Sequence, residues 1–199
     1  MDSEEIVDTL SFVAEEHKPT LKRLLASFPD YVEDWFWAPA PDRSLLLQGD
    51  MIDEIPLLIP SLDAEPASVA YHRVVILSNS CDVEQGKGDF GTVAPVIGLD
   101  AMESGWIEQG LSASSWADRL AAIRHNQVTN LLYLPGSTVM KPSAALLELA
   151  SAVAITEFAG CEDRKLHSLS QYGHYLLLTK LVWHFARPES ADAVRWLAD

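Results

Sequence analysis

The run Val74-Val75-Ile76-Leu77 constrains this chain more than any other segment. Four consecutive β-branched or aliphatic residues, entered by Arg73 and left through Ser78-Asn79-Ser80-Cys81-Asp82, read as a central buried strand. Shorter segments of the same kind flank it. Residues 45–58, broken by Gly49-Asp50 and Pro56, predict a strand entering at an edge or corner, because proline is not tolerated in a central strand. Residues 61–68 (SLDAEPAS) predict a polar loop, and Gly86, Gly88 and Gly91 punctuate the approach to a further strand over 92–97. Residues 128–134 and 152–158 are two more strand candidates, and the alanines between 144 and 154 point to a short helix ahead of the second.

Helical periodicity appears in three other places. Residues 1–28 predict one or two helices, with Pro19 as a break or restart, and 100–124 predict a helical insertion interrupted by Gly105 and Gly110. Residues 170–186 place Tyr172, Tyr175, Leu176, Thr179, Val182 and Trp183 on one face, with Ser170 as N-cap. These elements predict an α+β fold in which Val74, Ile76, Val93, Val153 and Ile155 belong to one curved, mostly antiparallel sheet covered by the last helix. The domain organisation expected is a helical and aromatic extension over 1–44, then a body over 45–199 with its insertion at about 100–124. Within the extension, Tyr31, Trp35, Phe36 and Trp37 are expected to fold back and bury at least two rings, since several exposed aromatics would leave an aggregation-prone patch.

Composition narrows the function. The formal net charge of −15 argues against general DNA or other nonspecific nucleic-acid binding, which rests on Lys and Arg displacing counterions. No run approaches the roughly 20 apolar residues of a membrane helix, and the acidic Met1-Asp2-Ser3-Glu4-Glu5 start is unlike a secretory signal, so a cytoplasmic protein is expected. Cys81 and Cys161 are expected to be reduced thiols, with neither a disulfide framework nor a zinc site. His167, His174 and His184 lack metal-pair spacing and Gly86-Lys87-Gly88 lacks a phosphate-loop pattern, so no metal or cofactor is expected.

Three polar groups are candidates for chemistry. Cys81 would be a nucleophile if His72 or His125 approached it, but the Ser, Asn and Asp around it also satisfy backbone groups at a strand end. Arg73 would bind a phosphate or pair with a carboxylate such as Asp82 or Glu157. Arg124-His125-Asn126-Gln127 would line a nucleotide groove or form a solvated loop.

The order of these segments resembles MazF/PemK-type toxins. Gly49-Asp50-Met51-Ile52 is similar to the opening of that family's small barrel, Arg73-Val74-Val75-Ile76-Leu77 to its Arg-led apolar strand, and Val93-Ala94-Pro95-Val96-Ile97 to the strand that follows. Val153-Ala154-Ile155-Thr156-Glu157 is similar to its late strand ending in Glu, and Leu169-Ser170 to the start of its closing helix. The resemblance covers about two-thirds of the chain. It implies a small curved, mostly antiparallel β-barrel and metal-independent cleavage of single-stranded RNA by an Arg, here Arg73, and a Thr or Ser at the next strand's end. That second position falls at or near Ile97, which has no hydroxyl, and Gly160 stands near where many relatives carry another Arg.

Two expectations follow. The first is a non-catalytic interaction component that keeps the barrel and binds a protein partner or forms a homodimer, for example in a toxin–antitoxin-like or phage-defence assembly. The second is an altered single-stranded RNA endoribonuclease in which Arg73 stabilises phosphate charge and Asp82, Ser80 or His125 replaces the missing group. Charge and the two lost positions favour the first.

Overall fold

The computed structural model describes residues 7, 8, 10–39, 44–59, 68–83 and 88–185. Seven strands form one antiparallel sheet: β1 (Met51–Ile59), β2 (Ser68–Ile76), β3 (Phe90–Gly98), β4 (Leu131–Leu134), β5 (Ser143–Leu146), β6 (Ser151–Ala154) and β7 (Lys165–His167). Their order is β4-β5-β3-β2-β1-β7, with β6 also paired to β3. The helices are α1 (Lys18–Ser27), α2 (Glu33–Phe36), α3 (Ser80–Val83), α4 (Leu99–Glu108), α5 (Ala113–Arg124) and α6 (Gln171–Phe185).

Alternation along the strands builds two cores. Val74 and Ile76 of β2 point to one face, where they pack with Ile52, Ile55, Val93, Val153, Phe158 and Cys161. Val75 and Leu77 point to the other, meeting Met51, Ala94, Phe36, Leu176 and Leu177. Burial on both faces is why this run shows no polar alternation. Beyond it, β2 reaches back to Ser68 along β1, and there Val69 and Tyr71 are exposed. Arg73 therefore stands inside β2, not at its start, because the exposed Val and Tyr positions extend the strand past the apolar run.

The β5 and β6 segments are one strand interrupted. Val96 lies opposite Ala145 and Val93 opposite Ser151, so three steps along β3 face six along its partner, and the 3-10 turn Leu147–Leu149 takes up the excess. Pro95 of β3 lies opposite this interruption. The predicted helix over the alanines is replaced by β5, whose Ala144 and Ala145 are fully buried between β3 and β4, where small side chains fit a close-packed sheet. Ile155 is likewise corrected: it begins the 3-10 turn Ile155–Phe158, in which Phe158 turns into the core.

Among the described residues the sheet curls but does not close into a hydrogen-bonded barrel. At the seam between β1 and the segment after β6, Arg164 donates from Nη1 to the Glu54 carbonyl at 2.7 Å and from Nη2 to the Glu157 carbonyl at 3.0 Å.

The extension is tied to the body. Trp37 forms an antiparallel bridge with Leu169, and the Ser170 amide donates to the Phe36 carbonyl at 2.9 Å. Ser170 Oγ donates to the Trp35 carbonyl and accepts from the Gly173 amide at 3.1 Å, capping α6. A Cβ on Gly173 would collide with the Phe36 carbonyl, which is why the helix carries glycine there. Phe36 is buried, Trp35 and Trp37 are half-buried, and Tyr31 is exposed. Pro19 occupies the first turn of α1, whose Leu21 packs with Val7, Leu10, Val13 and Tyr175. The expected loop at 61–68, apart from Ser68, and the expected helix end at 186–188 lie outside the described residues.

Candidate functional site

A bulge in β1 creates the first polar feature. Ile52 pairs with Val74 and Ile55 with His72, so Asp53 and Glu54 together face Arg73, and Glu54 takes up the extra residue at φ 58°. This brings Asp53 Oδ2 to 2.7 Å from Arg73 Nη2, with the side chains 35% and 31% exposed. The carboxylate that satisfies Arg73 is thus Asp53, not Asp82 or Glu157. Arg73 Nε is buried and without a hydrogen-bond partner.

The pair lines a cleft of about 380 Å³ with Val96, Gly98, Met140, Ser143, Asp100 and Lys141. Lys141 Nζ lies 2.7 Å from Asp100 Oδ2. This hydrogen bond lowers the Asp100 pKa and raises that of Lys141. Two cations and two carboxylates cancel, so the cleft walls carry no net positive charge. That balance does not suit capture of a phosphate backbone.

Beside Arg73 stands His167. Its ring stacks on Trp37, with centroids 4.5 Å apart and planes at 22°, and Trp37 Nε1 donates to the Pro135 carbonyl at 3.2 Å. Its Nε2 lies 2.6 Å from Ser137 Oγ. Burial first, then the Arg73 charge, lowers its pKa, so the ring is neutral at pH 7.

The dense polar cluster after β2 is occupied by the backbone. Ser78 Oγ accepts from the Thr92 amide at 2.6 Å, Asn79 Oδ1 from the Cys81 amide at 3.3 Å, and Ser80 Oγ from the Gln48 amide at 3.0 Å. Asp82 and Cys81 are exposed on α3. Ser80, Cys81 and Cys161 line a separate cavity of about 540 Å³ with Leu45, Leu46, Leu47, Val83 and Phe158. Both cysteines are free, and burial raises the Cys161 pKa. Neither His72 nor His125 lines this cavity. His125 is exposed at the C-terminal end of α5.

The four residues singled out from sequence therefore do not share a cavity. Ser80 and Asp82 sit together at the end of β2, Arg73 in its own cleft, and His125 on a helix end. Sequence reasoning missed Asp53, Ser137 and Lys141, and weighed His167 only as a metal ligand.

Two buried cations also went unnoticed. Lys165 and Asp50, both fully buried, pair at 2.7 Å; Asp50 also accepts from Ser168 Oγ at 2.6 Å and from the Leu47 amide at 2.8 Å. Burial raises the Asp50 pKa, opposed by those three partners. Lys180 Nζ donates to the carbonyls of Asn126 and Val128 at 2.7 and 2.6 Å, and burial pulls its pKa down to about 8. The signals were a Gly-Asp inside an apolar stretch and a lysine one turn beyond Leu176 and Leu177 on the buried stripe of α6.

Among the described residues no group of three or more His, Cys, Asp or Glu is placed to hold a metal ion, and no helix is long and apolar enough to cross a membrane. No family model and no curated protein matches the chain.

Proposed function

We propose that this chain is a MazF/PemK-like barrel protein acting in the cytoplasm as a non-catalytic interaction component of a toxin–antitoxin-like or phage-defence assembly. The observation that carries the reading is the Asp53–Arg73 pair. The one Arg at the position the resemblance makes catalytic is held by a carboxylate that a β-bulge delivers to it. A guanidinium so held offers a phosphate a weaker site, because binding must first break the pair. Ile97 supplies no hydroxyl near the end of β3, and Ser80, Asp82 and His125 lie away from the Arg73 cleft.

Two further features support a partner-binding role. Pro56, Leu58, Val69 and Tyr71 share one face of the β1–β2 ribbon, with Leu58 opposite Val69 and Pro56 opposite Tyr71. Leu58, Val69 and Tyr71 are each more than half exposed, an apolar surface of the kind that marks protein contacts. The net charge of −15 disfavours RNA as the partner.

The test is incubation of the purified chain with mixed single-stranded RNA in chelator, beside Arg73→Ala. Both proteins should leave the RNA intact. Cleavage by the wild type that disappears in Arg73→Ala would overturn the reading and restore the metal-independent endoribonuclease.

A further inference from the structure

The segment 136–142 separates two spaces. Val139, Met140 and Lys141 line both the Arg73 cleft and an outer cavity of about 780 Å³, whose other walls include Glu33, Ser137 and Pro142. The segment is anchored at its ends by the buried Met140 side chain, the Leu99 amide on the Pro142 carbonyl at 3.0 Å and the Ser137 amide on the Met140 carbonyl at 2.7 Å, and its 137–140 turn is tied to β7 through one hydroxyl. Ser137 Oγ accepts from the amides of Val139 at 3.2 Å and Met140 at 3.1 Å, and it lies 2.6 Å from His167 Nε2. A serine hydroxyl has one proton and two lone pairs. With both lone pairs taken by backbone N–H groups, its proton must go to His167, so Nε2 is the unprotonated nitrogen and the ring carries its hydrogen on Nδ1.

This arrangement cannot coexist with an imidazolium. A proton on Nε2 would turn that nitrogen into a donor facing a hydroxyl with no free lone pair. Ser137 could accept from it only by releasing Val139 or Met140. The ring cannot swing aside at no cost, because Trp37 stacks on it and is itself held by the Pro135 carbonyl. The charges on the surrounding elements do not help the proton either. Arg73 on β2 repels it, Asp53 on β1 is committed to Arg73, Lys141 on the segment itself is paired with Asp100, Glu33 lies across the outer cavity, and Lys165 on the ring's own strand is paired with Asp50.

We propose that the 137–140 turn is a proton-loosened part of the wall of the Arg73 cleft, tied down through Ser137 while His167 is neutral and loosened when that ring is protonated. The sign follows from linkage. The tied turn disfavours the proton, so its hold is complete above the ordinary histidine value of about 6.5 and is lost as pH falls through the lower value of the tied form. Loosening of the turn would widen the Arg73 cleft on the side of the outer cavity.

The test is amide hydrogen exchange by NMR on the full chain at pH 7.5 and 5.0, corrected for intrinsic exchange, with Val75 and Leu132 reporting global stability. Protection at Val139 and Met140 should fall at least about tenfold more than at the core amides in the wild type, and should not change with pH in His167→Gln. Ser137→Ala should leave both amides unprotected at both pH values. An equal change in wild type and His167→Gln, or none in the wild type, would overturn the proposal. A direct imidazole titration keeps the test decisive if a variant fails to fold. The Nδ1–H tautomer at pH 7.5 with a pKa below about 6.5 is expected; an Nε2–H tautomer, or a pKa at or above that value, would overturn it.

Discussion

Replacing Lys165 by methionine removes the cation paired with the fully buried Asp50 carboxylate. Asp50 would keep the Ser168 hydroxyl and the Leu47 amide, but its charge would be unpaired in the space between β1, β7 and the 44–48 segment. Breaking a buried pair from one side commonly costs about 3–5 kcal/mol, a large part of the roughly 5–15 kcal/mol that holds a domain folded. The carboxyl will reduce this loss by taking a proton, which gives the variant a pH signature. In the folded variant Asp50 holds its proton to higher pH than the roughly 3.9 of an unfolded Asp, so the folded state binds more protons and stability falls as pH rises. The loss relative to wild type should therefore be smaller at pH 5.5 than at 7.5, by up to about 2.7 kcal/mol at about 1.36 kcal/mol per pH unit. Urea unfolding followed by circular dichroism measures both quantities. Adding Asp50→Asn to Lys165→Met should recover much of the loss. A penalty below about 1 kcal/mol that does not vary with pH would refute the view that this pair is a dry, mutually dependent element.

Other outcomes follow from the same contacts. Lys180 sheds its proton near pH 8 in the folded state but holds it to about 10.4 when unfolded, so urea stability should rise between those values in wild type and not in Lys180→Met. Gly173→Ala should cost about 1–3 kcal/mol in urea unfolding through collision with the Phe36 carbonyl, whereas Gly105→Ala, open within α4, should gain about 0.4–1 kcal/mol. Arg164→Ala should lose about 1 kcal/mol and raise amide exchange around Glu54, because its guanidinium bridges the seam of the sheet.

What could be read in advance was whatever a local pattern encodes. The Val74–Leu77 run announces a central buried strand, Gly49-Asp50 announces the entry to β1, and Ser170 announces the start of α6. Ala144 and Ala145 misled because alanine favours helix in isolation, and only burial between two strands makes it a strand residue. Ile155 misled because the turn into Phe158 is set by the core it enters. The candidate site was least legible. Asp53 meets Arg73 because a bulge at Glu54 shifts the register by one residue, and nothing local marks a glutamate for positive φ. Ser137 meets His167 across 30 residues through a fold that periodicity does not specify.

The central claim is that Arg73 is engaged by an internal carboxylate and forms no standing phosphate site. Fluorescence anisotropy of a labelled single-stranded RNA, titrated with the full chain from about 50 to 200 mM salt, tests it most directly. Binding should be no tighter than the nonspecific range of about 10⁻⁴ to 10⁻⁶ M and unchanged by Arg73→Ala. Tight binding by the wild type that weakens steeply with salt and is lost in Arg73→Ala would contradict it.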